Sequence, residues 1–227
     1  MPRELPIFPL PLVLFPGTLQ PLHIFEPRYR QLLADSLAGD RRFGVTYAAE
    51  SPGQVRTPRP GDVGCVAEIR STQDLPDGRS NIVTVGERRF TLLDWLPTAR
   101  LYRLARVEEF ADEHGDPVEV SAIAAEVRRD FMRLLTALAA LTDRPEEPPT
   151  LPDEPELLSF QVAAELEFEP PAKLELLRVR STLARLHRLA ALLAPLAADA
   201  ERRATVRRHA RRNGKSGLPA DIERTAP

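Results

Sequence analysis

The sequence predicts an α+β protein: a small closed or nearly closed β-barrel with one inserted helix, followed by a bundle of helices. Three observations lead there. Before about residue 117 apolar residues recur mostly at every second position, with Gly and Pro between the runs. After Asp116-Pro117 they recur every third and fourth position. The first part holds about seven short strand-like runs, a number that suits closure on itself.

The barrel region is read as residues 1–116. Leu5 to Leu10 and Thr18 to Ile24 alternate and are joined by the turn Phe15-Pro16-Gly17. Glu26-Pro27 then places a proline at a first helical position, Leu32, Leu33, Ser36 and Leu37 keep helical spacing, and Gly39 stands where a left-handed C-terminal cap is expected. Arg42 to Tyr47 returns to strand, and residues 48–61, rich in Pro and Gly, read as an exposed loop. Val63, Cys65, Ala67 and Ile69 form one apolar strand face. A turn at Asp77-Gly78 precedes strands Ile82 to Val85, Arg89 to Trp95 and Leu101 to Phe110.

The helical region is read as 117–198. Val120, Ile123, Val127, Phe131, Leu134, Leu138 and Leu141 form one stripe of a helix of roughly six turns. Residues 142–156 hold five prolines and read as a linker or extended strap. A second helix spans Glu156 to Phe168, stopped by Pro170-Pro171. In a third, Leu176, Val179, Leu183, Leu186, Ala190 and Leu193 form a stripe that needs a partner to cover it. Residues 199–227 lose this periodicity and are expected to fray or stay disordered.

Composition narrows the function classes. Cys65 is the single cysteine, so neither an intrachain disulfide nor a thiolate metal cluster is available, in keeping with a reducing, cytoplasmic setting. No run reaches the ~18 apolar residues of a membrane span. The formal charge of −2 conceals a net +5 in residues 200–227 against −7 in the rest. An acidic body argues against nucleic acid as the main partner.

Tests for chemistry return little. Asn213-Gly214-Lys215-Ser216-Gly217 lacks the earlier glycine and preceding strand of a phosphate loop. The two lysines, Lys173 and Lys215, sit in no desolvated pocket beside a serine that the sequence reveals. Asp112-Glu113-His114-Gly115-Asp116 reads as a solvated turn between the regions rather than a cation site. No catalytic residue, cofactor or metal is expected. One surface stands out. With Phe90 and Leu92 facing the barrel interior, alternation points Leu93 and Trp95 outward as a protein contact. The competing reading has the helices cover both.

Several runs together resemble one family. They are Leu5-Pro6-Ile7-Phe8-Pro9-Leu10, Val13-Leu14-Phe15-Pro16-Gly17, Pro21 to Arg30, Gly61 to Ile69 and Val85-Gly86-Glu87-Arg88-Arg89-Phe90, with Leu174 to Leu196 behind them. They are similar to the amino-terminal, substrate-binding domain of Lon proteases over about residues 4–197. The resemblance implies a PUA-like pseudo-barrel followed by a helical subdomain. It implies a non-catalytic part that recognises unfolded, damaged or tagged proteins and hands them to a motor and a serine–lysine protease. The partners it implies are unfolded or hydrophobic polypeptides and, in a third reading, a Lon-type or other protease. Since PUA-like barrels elsewhere contact RNA, RNA binding through the basic tail stands as an alternative. Within the family motif, Glu26, Arg28, Tyr29 and Arg30 read as structural: Glu26 supports the helix start, and Arg28 or Arg30 pairs with barrel carboxylates.

Overall fold

The computed structural model describes residues 1–51, 54–113, 115–142 and 149–215. The strands are β1 (Arg3–Leu10), β2 (Leu19–Ile24), β3 (Arg42–Tyr47), β4 (Ala49–Ser51), β5 (Gln54–Arg56), β6 (Val63–Asp74), β7 (Ser80–Leu96) and β8 (Arg103–Phe110). Helix α1 (Pro27–Ala38) lies between β2 and β3, and α2 (Pro117–Thr142), α3 (Pro155–Glu165), α4 (Pro170–Arg178) and α5 (Thr182–Lys215) follow the strands.

The main sheet runs β2-β7-β6-β3-β1-β8, and β8 also pairs with β7. That last pairing closes a five-stranded barrel and leaves β2 outside it as an edge strand. β1 runs parallel to β3; the other pairs are antiparallel. One strand can serve three partners because β7 is long and its ladders slip: the register shifts between Leu92 and Asp94 against β8, and twice along β6. The two strands expected at Ile82–Val85 and Arg89–Trp95 are therefore one.

Leu5, Ile7, Val66, Phe90, Leu92, Ala105 and Val107 fill the barrel. Phe90 reaches its centre only because Gly64 faces it: a Cβ there would lie 2.4 Å from the ring. On the other side of the sheet, Tyr29, Leu32 and Leu33 of α1 pack on Phe8, Phe43 and Ile69, with Phe8 and Tyr29 stacked at 3.9 Å. The third cluster is helical, but Phe15 and Val63 of the barrel belong to it and join the two regions.

The structure corrects several expectations. Residues 48–61 are not all loop, since β4 and β5 pair as a two-stranded ribbon. Gly39 caps α1 with φ −106°, and the left-handed residue is Arg41 (φ 62°). The expected third helix breaks into α4 and α5 at Val179–Ser181. The Val179 carbonyl accepts from Arg89 and Arg185, and the Ser181 hydroxyl accepts from the Ala184 amide at the start of α5.

The expected disordered tail is helical through Lys215, and 216–227 lie outside the described residues. Ala197, Ala200 and Ala204 continue the buried stripe of α5 after Leu193, and the largest helix–helix contact is α2 with α5. Glu201 binds Arg133 of α2 through both carboxylate oxygens, at 2.8 and 2.9 Å. Small residues escaped the sequence criterion because they bury little area each. Pro195 sits inside α5 on its solvent side. Of the expected linker 142–156, residues 143–148 lie outside the described residues; Leu151 is buried, and Arg128 donates to its carbonyl at 3.3 Å.

Candidate functional site

Two features stand out at the junction of barrel and helices: a buried ionic joint and an apolar surface beside it. The joint uses Arg89 of β7, Asp112 after β8 and Arg185 of α5, all almost fully shielded from solvent. Asp112 accepts from Arg89, from Arg185 at 2.6 Å and from the Thr182 hydroxyl. Arg89 donates to the carbonyls of Leu177 and Val179 at 2.9 and 2.6 Å, and Arg185 donates to Ser159 Oγ at 2.7 Å and to Val179. The Phe160 ring lies under Arg185 at 3.8 Å and Arg89 at 5.1 Å. Burial lowers the Arg89 pKa despite the Asp112 charge. The half-buried Glu156 nearby is raised, by burial first and by Asp112 second.

The expected solvated turn at Asp112 is therefore the anchor of the joint; His114 lies outside the described residues. A buried guanidinium with its donors on fixed carbonyls positions α4 and α5 against the barrel. It offers no free nucleophile or proton carrier. The Cys65 thiol is likewise buried in the sheet, and burial pushes its pKa up. Among the described residues, no group of three or more His, Cys, Asp and Glu is placed to hold a metal ion.

The apolar surface belongs to β2. Leu22 and Ile24 turn inward, so alternation puts Leu19, Pro21, His23 and Phe25 on the outer face. All four are exposed, Leu19 by 67% and Phe25 by 58%. Phe25 stacks beside His23 at 6.0 Å, and His23 Nδ1 is held 2.7 Å from Asn81 Oδ1. Pro21 is tolerated because β2 has only one neighbour.

At Leu19 this stripe runs into a groove of about 480 Å³ between the β1–β2 connection and the α3–α4 corner. Leu12, Val13, Leu19 and Phe168 form apolar walls, and Gln161, Glu165 and Lys173 are among the polar lining groups. Gly17, at φ 76°, turns the chain along the groove, while Gly17 N–H donates to the Gly86 carbonyl at 2.8 Å. A Cβ on Gly86 would sit 2.1 Å from the Phe15 carbonyl oxygen, so only glycine lets the turn dock there.

The predicted contact residues lie elsewhere. Leu93 is the extra residue of the β7 bulge and is half-buried. The bulge reverses the alternation, so Trp95 stands opposite the buried Ala105 and packs on the barrel interior. Its N–H donates to the Pro58 carbonyl at 3.3 Å and Arg103 covers the ring at 3.9 Å. The expectation that Trp95 points outward is thus corrected. Of the family-motif residues, Tyr29 is core, Glu26 accepts from Arg28 at 2.8 Å rather than from a helix amide, and Arg30 packs over Gly78. In the tail, Arg202 and Arg203 pair with Asp199, and Arg207 donates to the Leu141 carbonyl.

A family model of the ATP-dependent protease La (LON) substrate-binding domain matches residues 4–194. The chain belongs to this family. Among the curated relatives of this Lon-type domain, Lon protease 2 of Thermus thermophilus is 27% identical over 197 residues, 85% of the chain and 24% of that protein. Lon protease of Cytophaga hutchinsonii is 31% identical over 140 residues, covering 59% of the chain and 17% of the relative. The chain thus spans about a quarter or less of the length of these proteases. The match lies in their substrate-binding part, which is not the catalytic one.

The fold is shared with solved structures. The Lon N-terminal domain protein of Xanthomonas campestris superposes with a TM-score of 0.60 at 24% identity, over 83% of this chain and 98% of that one. The N-terminal domain of Mycobacterium avium complex Lon protease gives 0.65 at 17% identity, over 87% and 99%. The α+β barrel-and-helices architecture expected from the sequence is the Lon-type architecture. No helix among the described residues is long and apolar enough to cross a membrane.

Proposed function

We propose that this Lon-type domain is a non-catalytic receptor for polypeptides. It holds unfolded or tagged chains by apolar contact and acts as an adaptor or chaperone-like factor in proteolysis. The observation that carries the reading is the exposed stripe Leu19, Pro21, His23 and Phe25 opening into the inter-subdomain groove. A continuous exposed apolar surface on a soluble fold marks a protein contact. Its partner here is a chain with apolar side chains on offer, such as an unfolded polypeptide. Leu93 and the exposed part of Trp95 are a secondary contact in this proposal.

Binding needs no nucleotide and changes no covalent bond. The test is a fluorescence anisotropy titration of the full chain with a labelled, permanently unfolded polypeptide, without ATP. Saturable binding is expected for the wild type and a loss of at least about tenfold in the double variant Leu19→Ser, Phe25→Ser. A wild type that does not bind, or a double variant that binds equally well, contradicts the reading. A protease partner is tested by co-purification with a tagged chain.

A further inference from the structure

Acidic side chains are spread unevenly over this molecule. Residues 153–175, the α3–α4 corner and its flanks, carry seven of them and one basic side chain, nearly all of the −7 found outside the tail. Elsewhere carboxylates are matched to arginines, as in Asp35–Arg100, Asp94–Arg106, Glu87–Arg42 and Asp130–Arg133. Glu165, Glu167 and Glu169 differ. All three are exposed, and among the described residues no hydrogen bond or ion pair engages their carboxylates. Glu169 stands at the N-cap of α4 without bonding its amides, whereas Glu154 at the N-cap of α3 accepts from the Glu156 and Leu157 amides. The corner's basic residue is Lys173, whose Nζ donates to the Ala164 carbonyl at 2.6 Å. Burial lowers its pKa, and Glu165 and Glu167 oppose that through space, two carboxylates acting on one ammonium.

These carboxylates border the apolar surface already described. Phe168, between Glu167 and Glu169, lines the groove together with Leu12, Val13, Leu19 and Glu165. The acids are not gathered for chelation, since no group of three or more His, Cys, Asp and Glu among the described residues is placed to hold a metal ion. Cations on long, flexible stems suit them better: lysine and arginine lay their methylenes along apolar surface and keep the charge at its rim. We infer that the groove and the β2 stripe select unfolded segments in which lysine or arginine accompanies apolar residues, with the apolar side chains on Leu12, Val13, Leu19 and Phe168 and the cations on Glu165, Glu167 and Glu169. This rests on the polypeptide-receptor reading above and adds the charge class of the client. The basic arm of α5 is not the occupant within one molecule. Arg185 is fixed beside Ser159 of α3, and at 1.5 Å per residue Arg207 stands about 33 Å further along α5, while Glu165 is about 9 Å from Ser159 along α3. The arm of a second copy is free of that limit, and sedimentation distinguishes the two cases.

The experiment titrates three labelled, unfolded peptides onto the full chain at low and high salt. They share length and apolar content and differ in whether lysine, glutamine or glutamate stands between the apolar residues. At low salt the lysine peptide is expected to bind about tenfold more tightly than the glutamate peptide, the scale of two or three exposed ion pairs. High salt should erase most of that gap. The triple variant Glu165→Gln, Glu167→Gln, Glu169→Gln should bring the two peptides together, and Lys173→Gln should widen the gap. Glu4→Gln with Glu108→Gln, which neutralises exposed carboxylates on the barrel, should leave it in place. Thermal melts establish that the variants fold, and the wild-type comparison with its salt dependence stands without them. Equal affinity for lysine and glutamate peptides on the wild type overturns the inference while leaving polypeptide binding intact. So does a preference that survives the triple variant. Sedimentation of the chain alone is expected to show no association through the corner; a dimer lost both in the triple variant and on deleting residues 199–227 assigns the corner to a second copy's arm and overturns the inference. Absence of binding by all three peptides and by unfolded polypeptide overturns the receptor reading as well.

Discussion

Replacing Asp112 by alanine removes the only carboxylate among the described residues that contacts both Arg89 and Arg185, whose side chains are 1% and 0% exposed. Neither guanidinium can turn to water without moving α4 or α5, because Arg89 is held by Leu177 and Val179, and Arg185 by Val179 and Ser159. Removing one partner of a buried ionic group costs about 3–5 kcal/mol, since uncompensated charge stays inside. Against a total stability of ~5–15 kcal/mol for a domain, that is a large fraction. At ~2–4 °C per kcal/mol for chains of this size, the melting temperature should fall by about 10 °C. Chemical denaturation with tryptophan fluorescence and circular dichroism reads the loss. Asp112→Asn, which keeps a bond to Thr182, should lose less. A loss below about 1 kcal/mol for Asp112→Ala, the value of a solvent-exposed ion pair, refutes the buried joint.

Other outcomes follow from the same structure. Deleting residues 199–227 uncovers the α2 surface under Ala200 and Ala204 and removes the Arg133–Glu201 pair, so the melting temperature should drop by several degrees; an unchanged value means the segment contributes nothing to the fold. Gly86→Ala should destabilise by about 3 kcal/mol in urea titrations, because its Cβ meets the backbone of Phe15. Asp130 and Glu201 have pKa values lowered chiefly by hydrogen bonds from Arg129 and Arg133 respectively. Their contribution is present above the ordinary carboxylate range and is lost as pH falls through the depressed folded-state values. Asp130→Asn should therefore lower the melting temperature at pH 7, with the gap to wild type closing in strong acid.

Much of the fold was readable because alternation and helical spacing report on one buried face each. The stripe Val120 to Leu134 and the strand Val63 to Ile69 sit where their periods put them. Failures came where a feature depended on residues far apart. Arg89 reads as an ordinary strand charge, and only the packing of α4 and α5 on the outside of β7 seals it against Asp112. Trp95 reversed its face through one bulged residue, Leu93, which no composition signal marks. The tail looked unstructured because alanines 197, 200 and 204 replaced the large residues of the earlier stripe. For the site, Pro21 between Leu19 and His23 was a usable sign of an edge strand. The groove was not legible, since its walls come from residues some 150 positions apart.

In the proposed function, clients bind at β2 and the adjoining groove. Amide hydrogen exchange of the full chain, with and without an unfolded polypeptide, tests it most directly. Protection on binding should be strongest in segments 11–25 and 161–173 and weaker at residues 93–95, with the α5 arm changing little. Protection concentrated on α5 or around Trp95, with residues 11–25 unaffected, contradicts it.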